Sequence, residues 1–475
     1  MDMNKNRHRN HIPIKYSCYQ IPRSDSMSIN NYIKDLLNIK DKNIVIDTEK
    51  IIVKKVKYVD TRFIYGKLTY TPDTCPCCGH VNESFNIIKY GTKTCKIKLI
   101  NISNLPTILF LKKQRFLCKE CGSTFSAKTE IVNKFSNISN DIKRKIALDL
   151  TNISSFKSIA ESNGVSVNTV LRVFKEWSKS FKQDFSYLPP VLSIDEFKST
   201  KSVSGAMSFI CTNPITGEIV DILPDRRLFK LDTYFLRFPR RVRDQVKIVV
   251  CDIYSPYMEL VKKFFKNACI VLDKFHIVQN FTRAFNMARV QLMKKFKTDS
   301  HEYRCLKRYW KLLLLPKTKL ISTHFKSYPC FKKFMSQKEI VEHILDFDYP
   351  FRRIYDLIQN ILFAIREKNF NTLKTILHEF KPDEFGEIYS KIKAAISTAI
   401  RHLEKIKNAL TTNYNNGRIE GINNKIKVIK RVSYGYRSFD NFKLRILLCF
   451  FHKNLLTKVK LNLKLISGYF YYLSN

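Results

Sequence analysis

No run of apolar residues in this sequence approaches the roughly 18 that a helical membrane crossing needs. The best candidate, Leu444 to Phe451, is far too short. The opening MDMNKNRHRN is polar and basic and no apolar stretch follows it, so no secretory leader is expected, and a cytoplasmic, reducing setting is. Internal repeats and long low-complexity tracts are missing as well, which argues against solenoids and disordered linkers. Acidic residues are scarce: 41 Asp and Glu stand against 84 Lys and Arg, for a formal charge of +43.

Hydrophobic residues make up 44% of the 475-residue chain, enough for several globular domains. Lys, Asn and Ile are all abundant, as AT-rich codons would make them, so part of the lysine excess is compositional. The remaining charge calls for a polyanion, because phosphate neutralisation with counterion release rewards a basic surface. In a reducing setting the 13 Cys read as metal ligands or buried apolar residues rather than disulfides.

The fold class read from the chain is multidomain α/β. An N-terminal region, 1–65, carries no assigned chemistry; within it Ser28 to Leu37 reads as a helix and Asn43 to Val59 as strands. A zinc-binding module is expected over 66–130, because Cys75-Pro-Cys-Cys78-Gly and Cys118-Lys-Glu-Cys121-Gly are two knuckle-like turns. Four thiolates suit tetrahedral zinc, and the x-x spacing lets both sulfurs of a turn face one ion. Cys75, Cys78, Cys118 and Cys121 are the expected ligands, with Cys95 and His80 as substitutes. Four ligands leave no open position, so this zinc is expected to be structural.

Residues 135–183 read as a helix-turn-helix. In SFKSIAESNGVSVNTVLRVFKEW a helix ends at Ser162, Asn163-Gly164 supplies a left-handed turn, and Ser166 caps the next helix. Ile159, Ala160, Val165, Val170 and Leu171 would form the core. Asn168, Thr169 and Arg172 would face DNA.

Beyond Pro190 strand-like runs dominate: Val191 to Phe197, Gly205 to Thr212, Glu218 to Leu223, Val246 to Cys251 and Ala268 to Leu272, with a helix at Pro256 to Phe265. That order fits a mixed sheet in a catalytic domain spanning 188–456, interrupted by Lys-rich helices at about 279–410. Asp195 and Asp252 end apolar strands, and Glu420 begins a basic helical stretch. An acid at the end of a buried strand is costly unless it binds something. Asp195 and Glu196 point to opposite faces, and periodicity alone does not choose between them. Arg418 to Arg445 holds eight basic residues and two acids, interleaved with aromatics. Arg418, Lys425, Lys430, Arg431 and Arg437 are the expected phosphate contacts, with Phe439 and Phe442 in the core.

Taken together the chain resembles the ISL-three family of bacterial insertion-sequence transposases. The resemblance runs from the Cys75 knuckle to about Phe450 and rests on the paired knuckles, the helix-turn-helix, SIDEF, VVCDIYSPY, VLDKFHIVQN and NNGRIEGINNKIKVIKRVSYGYRSFDNFKLRIL. It implies a ribonuclease H-like domain with a DDE triad at Asp195, Asp252 and Glu420, Asp195 being favoured over Glu196. It implies two Mg²⁺ (or Mn²⁺) ions at those acids, with Asp273 and His276 as auxiliaries. It further implies double-stranded DNA partners, namely terminal inverted repeats and a target, with cleavage and strand transfer. Because two ends must be brought together, a homo-oligomer, a dimer on DNA, is expected, and with it nucleoid association. The rivals are a DNA-binding regulator and a domesticated, non-cutting relative.

Overall fold

Two separately packed units divide the chain in the computed structural model, which describes residues 29–450 apart from 84, 180, 182 and 382–388. The first unit runs to Ile146 and includes Glu161–Val165; the second holds Ala147–Ala160 and everything from Ser166 onward. The basic opening and the expected end of the catalytic domain near 456 lie outside the described residues.

The first unit is a sheet with one helix before it. Helix α1 (Ile29–Leu36) leads into β1 (Ile44–Val56), β2 (Val59–Leu68), β3 (Ile87–Ile102), β4 (Leu105–Cys118) and β5 (Thr124–Ser126). The order is β1-β2-β4-β3, with β5 on β4; β2 and β4 are parallel and the other pairs antiparallel. Alternation along the strands buries Ile44, Ile46, Ile64, Leu68, Ile97, Leu109, Leu111 and Phe116 in one core. Strands lie over Asn43 to Val59 as the alternation suggests, but the boundary expected at 65 falls inside the second of them. Strand β2 runs across that boundary to pair with β4, so the N-terminal region and the knuckles share one sheet.

Helix α2 (Asn140–Asp149) is followed by α3 (Phe156–Ser162) and α4 (Val167–Ser178). Gly164 takes a φ of +57°, the left-handed value the Asn-Gly pair predicts. Ser166 Oγ accepts the Thr169 amide, as an N-cap does. Ile159, Ala160 and Val170 are buried as expected; Val165 and Leu171 are only half-buried, and Val173 and Phe174 fill the space instead.

The second unit is built on β6 (Val191–Lys198), β7 (Met207–Thr212) and β8 (Ile219–Leu223). Helices α5 (Leu228–Phe235) and α6 (Arg240–Arg243) then lead to β9 (Ile248–Cys251), α7 (Ser255–Phe264) and β10 (Cys269–Leu272). The strand order is β10-β9-β6-β7-β8, parallel through the first three and antiparallel through the last three. The five strands and α7 lie where the sequence puts them; α5 and α6 occupy what reads only as a connection.

A helical insertion follows: α8 (Lys274–Met293), α9 (His301–Arg308) and α10 (Trp310–Leu313), a small hairpin of β11 (Lys326–Ser327) and β12 (Phe334–Met335), then α11 (Gln337–Leu345), α12 (Tyr349–Arg366), α13 (Phe370–His378), α14 (Ser390–Arg401) and α15 (Leu403–Thr411). The chain returns to the sheet with α16 (Gly417–Val432) and α17 (Phe439–Phe450). Period-two alternation splits the sheet between two cores. Leu192, Ile194, Phe209 and Cys211 join the core of α5, α7 and α8, whereas Phe197, Ile210 and Ile222 meet Ile419, Ile422, Ile426 and Ile429 of α16 and Phe442 of α17.

Candidate functional site

Sheet register brings three acids into one row. Ser193 of β6 lies opposite Val250 of β9, and Cys251 of β9 opposite Leu272 of β10. Continuing those parallel pairings by two residues and by one puts Asp195, Asp252 and Asp273 side by side at the strand ends. Asp195 still pairs through its backbone with Ile210 of β7. Glu196, on the opposite face, accepts bonds from Arg226 and from the Tyr257 hydroxyl (3.0 Å).

Helix α16 supplies the facing wall. Its apolar stripe packs on the sheet, and Asn416, Glu420 and Asn423 follow at i, i+4 and i+7 on one adjoining face. Asn416 Nδ2 donates to Asp252 Oδ1 (3.2 Å), its Oδ1 accepts the Ser193 hydroxyl, and its backbone amide donates to Asp273 Oδ1 (3.4 Å). Asn423 Nδ2 donates to Asp195 Oδ2 (2.7 Å). Glu420 stands between the two Asn along the helix and is exposed. Neither Asn carries an assignment in the sequence reading, although both lie in NNGRIEGINN at same-face spacing from Glu420.

His276, on the first turn of α8, sets Nε2 3.1 Å from Asp252 Oδ2 and 3.9 Å from Asp273 Oδ2. Ligand atoms of Asp252, Asp273 and His276 all lie within 4.8 Å of one another; the carboxylates of Asp195 and Glu420 are not in that trio. Burial pushes Asp195 up to about 7; the Asp252 and Glu196 charges add to this, while the Glu196 amide and His276 oppose it. Burial also raises Asp252, His276 and the Asn416 bond opposing and Asp273 and Glu196 adding. Among the described residues no Lys or Arg forms an ion pair with Asp195, Asp252, Asp273 or Glu420. On a chain with twice as many bases as acids, Glu196, Asp221 and Asp232 all have such partners. The buried Asn423 Oδ1 is also left without a partner. This oxygen-rich, cation-free donor set fits a hard divalent ion.

The knuckles converge as read. Cys75 and Cys121 Sγ are 3.7 Å apart, Cys78 and Cys118 Sγ 3.9 Å, and all four sulfurs lie within 4.8 Å of one another. Thiolates about 2.3 Å from one tetrahedral zinc are separated by about 3.8 Å, so the set fits that ion. Gly79 and Gly122 take φ of +75° and +65°, conformations that let each knuckle turn. Hydrogen bonds from Ser123 lower the Cys121 thiol to about 6, whereas Cys78, despite a bond from the His80 backbone, is pushed up to about 12 by burial and the neighbouring thiols. Cys77 is exposed, His80 turns to Asn86, and Cys95 lies outside the group.

Several expected DNA contacts are otherwise engaged. Asn168 and Arg172 are exposed, but Thr169 is buried and its hydroxyl meets Ser166 and Arg172. It therefore belongs to the cap, not the exposed face. Lys425 donates to the Cys449 carbonyl (2.8 Å) over the Phe450 ring, and Lys430 donates to the carbonyls of Lys198 and Ser199. Arg418 reaches the Ile215 carbonyl. Arg431 and Arg437 are exposed, and Phe442 is core as expected, with Phe439 packed beside it.

Over residues 192–446 the chain matches the ISL-three family model described as Transposase, and over 71–121 one described as zinc-finger of transposase IS204/IS1001/IS1096/IS1165. It is similar to a Bordetella parapertussis protein named Transposase for insertion sequence element IS1001, 23% identical over 396 residues, covering 81% of this chain and 91% of that protein. A segment of 116 residues is 37% identical to a Lactococcus lactis subsp. lactis protein named ATP-dependent protease, spanning 24% of this chain and 35% of that protein's length.

Proposed function

We infer a reaction from one premise: the chain belongs to the ISL-three family of DDE transposases. It binds the terminal inverted repeats of an insertion sequence, cuts there, and joins the freed strand to target DNA. The observation that carries this reading is the row of strand-end acids, which have no basic partners among the described residues, beside the helix that carries Glu420. The strand order with acids at the ends of β6 and β9 supports a ribonuclease H-like domain, interrupted between β10 and α16 by the helical insertion.

Asp195, Asp252 and Glu420 are the proposed triad. Two divalent ions held there, Mg²⁺ or Mn²⁺, would activate the attacking oxygen and stabilise the leaving one. Asn416 and Asn423 orient the carboxylates of Asp252 and Asp195. His276, held between Asp252 and Asp273, steadies that pair and is placed to carry a proton at Nε2. In the first step water breaks a phosphodiester and frees a 3′-hydroxyl. In the second, that oxygen bonds to a target phosphorus as the target's own P–O3′ bond breaks, so one ester replaces another.

The α3–turn–α4 unit supports a helix-turn-helix, with Asn168 and Arg172 facing the repeats. The four knuckle Cys hold a structural zinc. Two transposon ends must be handled together, so a homodimer on DNA is part of the proposal, as is a place at the nucleoid. No helix among the described residues is long and apolar enough to cross a membrane.

The test is strand cleavage by the full chain, with Mg²⁺ and DNA from the flanks of its gene. Asp195→Asn, Asp252→Asn and Glu420→Gln should each abolish cutting while sparing binding. Cutting by Asp252→Asn would refute the triad. No cutting by the unaltered chain, with intact binding, would favour a regulator or a domesticated relative.

A further inference from the structure

The helical insertion holds a basic cleft that the acid site does not use. It has a volume of about 900 Å³ and is lined by Arg304, Lys307 and Arg308 of α9 and by Lys332 and Lys333 next to β12. All five are exposed, and among the described residues none has an ion pair. His301, Arg304 and Arg308 fall at i, i+3 and i+7, so α9 turns one face to the cleft. His301 and His343, which also line it, meet each other, Nε2 to Nε2 3.0 Å, and Lys307 lies over the Tyr303 ring.

Some bases of the insertion are neutralised, Lys317 by Asp356 and Arg352 by Glu342 and Asp346, whereas these five are gathered around one hollow. Five unpaired cations around one hollow repel each other unless an anion enters. The hollow is far larger than a single phosphate, and the cations come from two elements, as tracking a backbone requires. Phe334, beside Lys333, and Trp310, after Arg308, are exposed large rings of the kind that accompany phosphate contacts to nucleic acid.

We propose that this cleft, formed by α9 and the β11–β12 hairpin, grips a DNA phosphate backbone outside the reacting site and anchors the substrate through the insertion. The proposal rests on the transposase reading above and adds the surface by which the insertion takes part.

The test measures binding of the full, zinc-loaded chain to a fluorescent thirty-base-pair duplex of arbitrary sequence, with no Mg²⁺ or Mn²⁺ added, across a range of KCl. Each lost phosphate contact lowers the log–log salt slope by about 0.9. Arg304→Ala/Arg308→Ala/Lys332→Ala should lower it by roughly two to three. The charge-matched Lys374→Ala/Lys391→Ala/Lys393→Ala, also in the insertion, should lower it by less than one. Arg304→Lys/Arg308→Lys/Lys332→Arg should keep the slope. If the triple variant melts early, the exposed pair Lys332→Ala/Lys333→Ala takes its place.

Equal slopes for the cleft and control variants would overturn the proposal. So would a thermal shift with inorganic phosphate that the cleft variant loses without any slope change, which would assign the cleft to a small anion. The assay needs no Mg²⁺ or Mn²⁺. Binding and cutting with equal slopes would remove the cleft alone, whereas no DNA binding at all would remove the transposase reading with it.

Discussion

Asp195 sits half-buried between Asn423 and a second carboxylate, and the direction of its shift has a testable sign. Its folded pKa, about 7, lies above the ordinary 3.8, so the folded state prefers the neutral acid. The resulting penalty is absent at low pH, grows as pH rises through 3.8 toward 7, and is complete above that. Its ceiling is about 4 kcal/mol by the usual conversion, less what solvent screens. Asp195→Asn should therefore melt higher than the unaltered protein at pH 8 with no Mg²⁺ or Mn²⁺ added and no higher at pH 4. A lower melting temperature at pH 8 would contradict the assignment of Asp195 as an uncompensated acid. Asn416 permits a second check. Asn416→Ala removes the side-chain donor to Asp252 and the acceptor of the Ser193 hydroxyl, while the backbone amide still reaches Asp273, so cutting should slow about 10- to 100-fold while DNA affinity holds. The acids were legible because a carboxylate ending an apolar run is anomalous by itself. The two Asn were not, since Asn is ordinary beside a helix start and its meaning appears only once α16 lies against β6 and β9.

Elements differ in how much of themselves the sequence discloses. The strands of the second unit were readable as apolar runs, and the register that aligns Asp195, Asp252 and Asp273 then follows from parallel pairing. Both tight hairpins of the first unit were hidden. They turn at Lys57-Tyr58 and Ser103-Asn104, all four at positive φ, and neither contains the Gly that usually announces such a turn. Charge on α16 misled for a related reason: Lys425 and Lys430 look like phosphate contacts until their carbonyl partners are seen. Lys425→Ala should lower stability and leave the salt slope of DNA binding unchanged, whereas Arg437→Ala should lower that slope by about one. On α17, the buried Arg445 donates to the carbonyls of Leu150, Asn152 and Ser154, closing the stretch after α2. Arg445→Leu orphans those acceptors and should cost roughly 3 kcal/mol in urea denaturation. A change under about 0.5 kcal/mol would mean water replaces the guanidinium.

At the scale of the molecule, the zinc knuckles are fastened to a sheet that begins well before them. Cys75 and Cys118 share a core with Ile44 and Ile64, so zinc loss should be felt in β1 and β2. Cys118→Ser should release zinc and speed amide exchange across both strands; unchanged zinc content would contradict the ligand set. The central claim is that acids from β6, β9 and α16 hold one pair of divalent ions. Anomalous diffraction at the manganese edge, from crystals of the full chain with Mn²⁺ and DNA from its gene's flank, measures this directly. The account expects two peaks bounded by Asp195, Asp252 and Glu420. Peaks elsewhere, or Glu420 turned away from both ions, would contradict it.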